Sequence, residues 1–261
     1  FRNGRSAFST PEGAFFAALN DVDTYEAQST SSSIGMVDLE FTNRTSLVVD
    51  PPDGRIPPLT VEARERDAAV ARGWQFKTGP EDLNNFHRCI TTGVPRLGGN
   101  FGSGPYTFYQ IVQTPGSLAF ISEAFHDARI IPLDGRPHLP ERLRQWNGDS
   151  RGSWQGDTLV VETTNFRDRP SFTRGSRNMT VIERFRMESA DKLIYSFTVE
   201  DPTVWTAPFT GEYAWSRSDN KVFEYACHEA NYSFEGIMRG ARLLEAEFRG
   251  EELEAVPNPT R

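Results

Sequence analysis

The stretch MTVIERFRMESADKLIYSFTVE, residues 179–200, decides the fold class. Val181, Glu183 and Phe185 alternate with Ile182, Arg184 and Arg186. After the polar trio Ser189-Ala190-Asp191 the alternation resumes, with Leu193, Tyr195, Phe197 and Val199 on one face and Ile194, Ser196, Thr198 and Glu200 on the other. A period of two is the signature of a strand with one greasy face, and two such runs around a short polar break make a β-hairpin. The same grammar recurs on both sides. TFYQIVQT (107–114), Pro115-Gly116 and SLAFISEAF (117–125) read as one hairpin, followed by a short strand at 129–133. Residues 153–155, Gly156-Asp157 and TLVVETT (158–164) read as a second hairpin, and 209–217 with 222–227 as a further one. Successive antiparallel hairpins form a meander. A large meander avoids exposed edges by curling up, so the expected fold is mainly β, an antiparallel barrel over residues 105–240.

Composition agrees. The chain has 261 residues, enough for a substantial core, and 12% of them are aromatic. The first 104 residues read as an arm of short helices and irregular chain packed on the barrel, and residues 241–261 as a C-terminal tail. PEGAFFAAL (11–19) suggests a short helix behind Thr10, and QSTSSS (28–33) a loop. Leu47-Val48-Val49 is a short strand stopped by Pro51-Pro52-Asp53-Gly54. TVEARERDAAVAR (60–72) has the best helix signals in the chain, with Thr60 as its cap and Gly73 at its end. A second short helix is expected over 80–89. LGGNFGSG (97–104) is glycine-rich but lacks the Lys-Ser/Thr of a phosphate-binding loop, so it reads as a flexible loop or lid.

The charge balance removes whole classes of function. Net charge is −8, and only Lys77, Lys192 and Lys221 accompany the many arginines. No basic block exists to displace counterions from nucleic acid. No apolar run reaches the roughly 20 residues of a membrane span. There is no dinucleotide fingerprint and no GxSxG elbow. Cys89 and Cys227 belong to no CxxC pair, so they are two buried thiols or one disulfide worth about 4 kcal/mol in the chain-entropy view. A disulfide, and a chain that begins at Phe1 and not Met, fit a periplasmic or secreted protein. The cytoplasm is the alternative.

Chemistry concentrates in two polar clusters that each follow an apolar strand. SEAFHDAR contributes Glu123, His126, Asp127 and Arg129, and ACHEANY contributes His228, Glu229, Asn231 and Tyr232. If both open onto one barrel mouth, His126 or His228 can transfer protons, with Glu123, Glu183, Glu229 or Tyr232 assisting. Glu183 alternates with apolar residues; it reads as an inward general acid or base, or as the buried partner of an arginine. Arg129 or Arg151 suits a substrate anion, although Arg151 also suits a loop anchor on Asp149. Tyr109, Trp154, Trp205 and Trp215 offer rings for a flat apolar ligand. His138 reads as a surface residue, His87 as a packing or capping one, and Asp201 as a turn cap. No HxH or HExxH spacing is present, so no metal site and no cofactor is expected.

The segments HDARIIPLDGRPHLP (126–140), GDSRGSWQGDTLVVETTNF (148–166), TVEDPTVWTAPFTGEY (198–213) and EYACHEANYSFEGIMRGAR (224–242) resemble a family of uncharacterised, often exported bacterial proteins, over about residues 44–242. The architecture is distantly similar to calycin barrels, which include lipocalins and cofactor-free phenolic acid decarboxylases with Tyr, Arg and Glu in the barrel interior. The leading expectation is a cofactor-independent lyase or isomerase acting by acid/base catalysis on a small aromatic or hydrophobic molecule. The rivals are a lipocalin-like binder of hydrophobic ligands and a carbohydrate-active protein with exposed rings. The expected partner is a small molecule, with homo-oligomer formation left open.

Overall fold

A computed structural model describes residues 46–73, 77–85, 87–91, 93–95, 109–168, 175–217, 219, 221–222, 225–229 and 231–250. The glycine-rich loop at 97–104, the helix at 11–19 and the polar stretch at 28–33 lie outside the described residues.

Among the described residues the strands form two antiparallel sheets, and no closed barrel joins them. The larger sheet holds β1 (Val48–Asp50), β5 (Asp149–Gln155), β6 (Thr158–Thr164), β7 (Thr180–Met187), β8 (Lys192–Glu200) and β9 (Phe209–Ser216), in the order β1-β9-β8-β7-β6-β5. Four consecutive strands after β5 each pair with the one before, which is the meander the alternation predicts. The smaller sheet is β2 (Tyr109–Gln113), β3 (Ser117–Ser122) and β4 (Ala128–Pro132), in sequence order. Short turns set these registers. Gly156, at φ +64, makes the two-residue link between β5 and β6, and Thr114 N–H donates to the Ser117 carbonyl at 2.9 Å across the β2–β3 turn.

Alternation becomes burial. Val181, Glu183 and Phe185 are buried on β7, and Tyr195, Phe197 and Val199 on β8. The register sets Glu183 against Phe197 and Phe185 against Tyr195, and Leu193 faces Trp215 on β9. The small sheet packs on this inner face. Phe120 of β3 meets Phe185 with ring centroids 4.9 Å apart, and Tyr109 of β2 stacks on Trp215 at 5.1 Å, the rings tilted by only 8°.

Among the described residues there are two α-helices. Helix α1 (Val61–Gly73) begins where Thr60 Oγ1 accepts from Ala63 N–H at 3.1 Å, the predicted cap. Thr60 also donates to the Thr203 carbonyl, which anchors the helix on the turn held by buried Asp201. Helix α2 (Tyr232–Arg249) crosses residue 240 and occupies chain the sequence divides between barrel and tail. It ends at Gly250 in the left-handed region, φ +69. Among the described residues of 80–89 the helical structure is a 3₁₀ turn, Pro80–Asp82, in place of the expected helix. The expected strand at 222–227 is also absent among the described residues there. In its place Cys227 is bonded to Cys89, with Cα atoms 5.8 Å apart.

Candidate functional site

The two facing sheets leave a half-open cavity of about 40 Å3. Among the described residues its rings are Tyr109, Phe120, Phe185 and Trp215, and its polar side chains are Ser122, Asp127, Arg129, Asn147 and Glu183; Gly93 and Val94 also line it. The β3–β4 ladder explains why Ser122, Asp127 and Arg129 gather there. Phe120 lies opposite Arg129, and Ser122 N–H donates to the Asp127 carbonyl at 2.8 Å. Residues opposite one another in an antiparallel pair share a face.

Arg129 reaches from the small sheet to the large one. Its Nη2 donates to Glu183 Oε2 at 2.5 Å and to Thr163 Oγ1 at 2.7 Å, and its Nε to Ser150 Oγ at 2.9 Å. The Arg129 side chain is 13% exposed and that of Glu183 2%. Tyr195 completes the network by donating its phenol to Glu183 Oε1 at 2.8 Å. Burial, and then the Glu183 charge, push the Tyr195 phenol well above its ordinary pKa, because both oppose a phenolate. Glu183 is thus the arginine-paired carboxylate of the two readings its sequence position allows.

Asp127 is built differently. Its Oδ2 accepts from Thr91 Oγ1 at 2.6 Å and from Asn147 Nδ2 at 2.5 Å. Its Oδ1 makes no hydrogen bond among the described residues. One oxygen fixes the carboxylate and the other stays available, which is the arrangement a general base needs. The Ser122 hydroxyl is buried against the same cavity and finds no partner among the described residues. Asp127 stands inside a cluster the sequence singles out, but nothing in the sequence ties it to Thr91, Asn147 or Ser122.

The structure scatters much of the expected set. The SEAFHDAR segment comes close to the chain just before ACHEANY, since the Phe125 ring lies edge-on to Tyr225 with centroids 5.4 Å apart. Yet His126, His228 and Glu229 are exposed and stand outside the cavity wall, because the 3₁₀ turn Ala124–His126, with His126 at φ +51, carries the imidazole outward. Tyr232 is 79% exposed at the first turn of α2. Glu123 is buried but is not in the wall. Arg151 anchors its own loop, donating to Asp149 Oδ1 at 2.8 Å and to the Pro137 carbonyl at 3.0 Å. Trp154 is 48% exposed near the end of β5, and Trp205 is core, edge-on to Phe209. Arg129, Glu183, Tyr109 and Trp215 do line the cavity.

His138 is more engaged than a surface residue need be. Its Nδ1 lies 2.8 Å from Asp149 Oδ2 and its Nε2 3.2 Å from Glu162 Oε1. The two carboxylates sit on opposite ring nitrogens and cannot converge on one ion. No group of three metal-ligating side chains occurs among the described residues, and none of the described helices is long and apolar enough to cross a membrane. Comparison with known proteins returns no matching family model, no matching curated sequence and no matching solved structure.

Proposed function

We propose that the protein is a cofactor-independent lyase or isomerase that works by acid/base catalysis on a small aromatic or hydrophobic molecule in the Asp127–Arg129 cavity. The observation that carries this reading is the half-engaged Asp127 carboxylate in a cavity wall that also holds four rings. Asp127 takes the proton-transfer role that the sequence assigns to His126 or His228. Glu183 and Tyr195 position Arg129, and Trp215 with Tyr109 offers a flat apolar surface. The calycin-like barrel belongs to the same proposal: the two facing sheets are taken as the halves of an open barrel with the cavity between them. The Cys89–Cys227 bond supports a periplasmic or secreted location, since such bonds persist where thiols are not kept reduced.

One observation favours the rival reading, a lipocalin-like binder without turnover. His87, His126 and His228 are exposed, and none of the four histidines is in the cavity wall. Product analysis separates the two. The full chain is incubated with aromatic carboxylic acids, hydroxy compounds and unsaturated ketones, and products are read by mass spectrometry. Asp127→Asn is expected to lower turnover by about 10²- to 10⁴-fold, with His126→Ala and His228→Ala close to the unaltered protein. Stoichiometric binding with no product from any class would establish the binder instead.

A further inference from the structure

We infer that the ligand of this cavity is a neutral carbonyl compound, and that the site removes a proton from the carbon beside that carbonyl. The inference rests on the acid/base reading above and narrows it. Among the described residues three charged side chains line the cavity. Arg129 and Glu183 form an ion pair, so their charges cancel, and Asp127 leaves a surplus of one negative charge. A carboxylate ligand would enter beside that surplus in a partly buried space, where like charges repel more strongly than in water. A neutral ligand meets no such barrier. The expectation that Arg129 clamps a free anion therefore gives way, because Glu183 already holds its charge.

The unused hydrogen-bonding capacity matches a carbonyl. Arg129 engages Nε and Nη2, and its Nη1 makes no hydrogen bond among the described residues. The Ser122 hydroxyl is buried and without a partner among the described residues. These are two donors for an oxygen with two lone pairs, and Asp127 Oδ1 is an acceptor on the same sheet face. A buried polar group left unpaired is costly, so an unsatisfied serine in a cavity wall points to a polar group that arrives with the ligand. The volume of about 40 Å3 suits a carbonyl and its flanking carbons, with the rest of the molecule in the open mouth against Trp215.

The step balances without a co-reactant. Asp127 Oδ1 takes the proton from the α-carbon, and the electrons of that C–H bond become a carbon–carbon double bond. The carbonyl π pair moves onto oxygen, where Arg129 Nη1 and the Ser122 hydroxyl stabilise the developing charge. Returning the proton to the same carbon exchanges it; returning it to the γ-carbon of an unsaturated ketone shifts the double bond.

Acetophenone and benzoate test this, because they share a ring and differ in a methyl group against a charged oxygen. Calorimetry on the full chain at pH 7 is expected to show acetophenone binding about tenfold more tightly or better. Asp127→Asn is expected to abolish most of that preference by strengthening benzoate. Ser122→Ala is expected to weaken acetophenone by about fivefold. Tighter benzoate binding, or a preference unchanged in Asp127→Asn, overturns the inference. NMR of acetophenone in D2O adds a separate readout: catalysed exchange of the methyl protons is expected, and is lost in Asp127→Asn. Absence of exchange with the binding preference intact would overturn the proton-abstraction step and the acid/base reading while leaving the neutral-ligand assignment standing.

Discussion

Glu183 is a charged residue among the largest fully buried side chains described, only 1% exposed. Alternation on β7 turns it inward, and Arg129, Tyr195 and the β7–β8 register then hold it among rings. A carboxylate in that setting is tolerable only while its partner remains. Glu183→Ala leaves the Arg129 guanidinium without its counter-charge and is expected to lower the unfolding free energy by about 3–5 kcal/mol. Urea denaturation reads this directly. The companion variant Arg129→Met/Glu183→Leu removes both charges and is expected to be the more stable of the two. Equal losses in both variants would mean that packing volume, not charge, sets the cost.

The meander is held as much by what its strands omit as by what they contain. Gly211 of β9 lies opposite Phe197 of β8, and a methyl group built on Gly211 would run into the Phe197 ring. The ring, 2% exposed and near Tyr195, occupies the space a side chain would need. Gly211→Ala is expected to destabilise by about 1–3 kcal/mol. Thermal unfolding reads it as a fall of about 2–4 °C per kcal/mol. Adding Phe197→Leu, which shortens the obstacle, is expected to reduce the additional cost of the alanine. If the two substitutions simply add, the glycine is not there for the ring.

Across the whole molecule, one covalent bond ties the cavity to the C-terminal helix. Cys89 and Cys227 are 138 residues apart. Thr91, two residues beyond Cys89, orients Asp127, while Asn231 just before α2 donates to the His87 carbonyl at 2.8 Å. Arg242 of α2 donates to the Thr78 carbonyl at 3.2 Å. Contacts among the described residues therefore link Thr78, His87, Cys89 and Thr91, through the disulfide and α2, to Asp127 of the cavity. Replacing both cysteines with serine is expected to cost up to about 5 kcal/mol in the chain-entropy view. It is also expected to weaken cavity binding, measured by calorimetry, at temperatures where circular dichroism still reports folded sheet. Unchanged affinity in a folded double variant would uncouple the bond from the site.

Strand identity, pairing of neighbours and the inward face of residues 179–200 were legible because each depends on local alternation and on turns of a few residues. The cap at Thr60 was legible for the same reason. Helix α2 was not: Gly236 and Gly240 weaken its local signal, and only Ala241 and Ala246 of its 18 residues are buried. Scarcity made His126 and His228 conspicuous, but exposure depends on how a turn directs a side chain, and both point outward. Asp127 lay in plain view in the sequence, whereas its partners Thr91 and Asn147 lie 36 and 20 residues away along the chain. The sequence by itself determined an acidic, ring-rich, antiparallel β protein with Glu183 turned inward, because those properties follow from composition and a period of two. Only the tertiary structure decided that the strands make two facing sheets, that Arg129 takes Glu183 as its partner, and that Asp127 is the carboxylate left with an oxygen to spare. Each of those depends on contacts between residues far apart in the chain, and no local pattern encodes which sheet will lie against which.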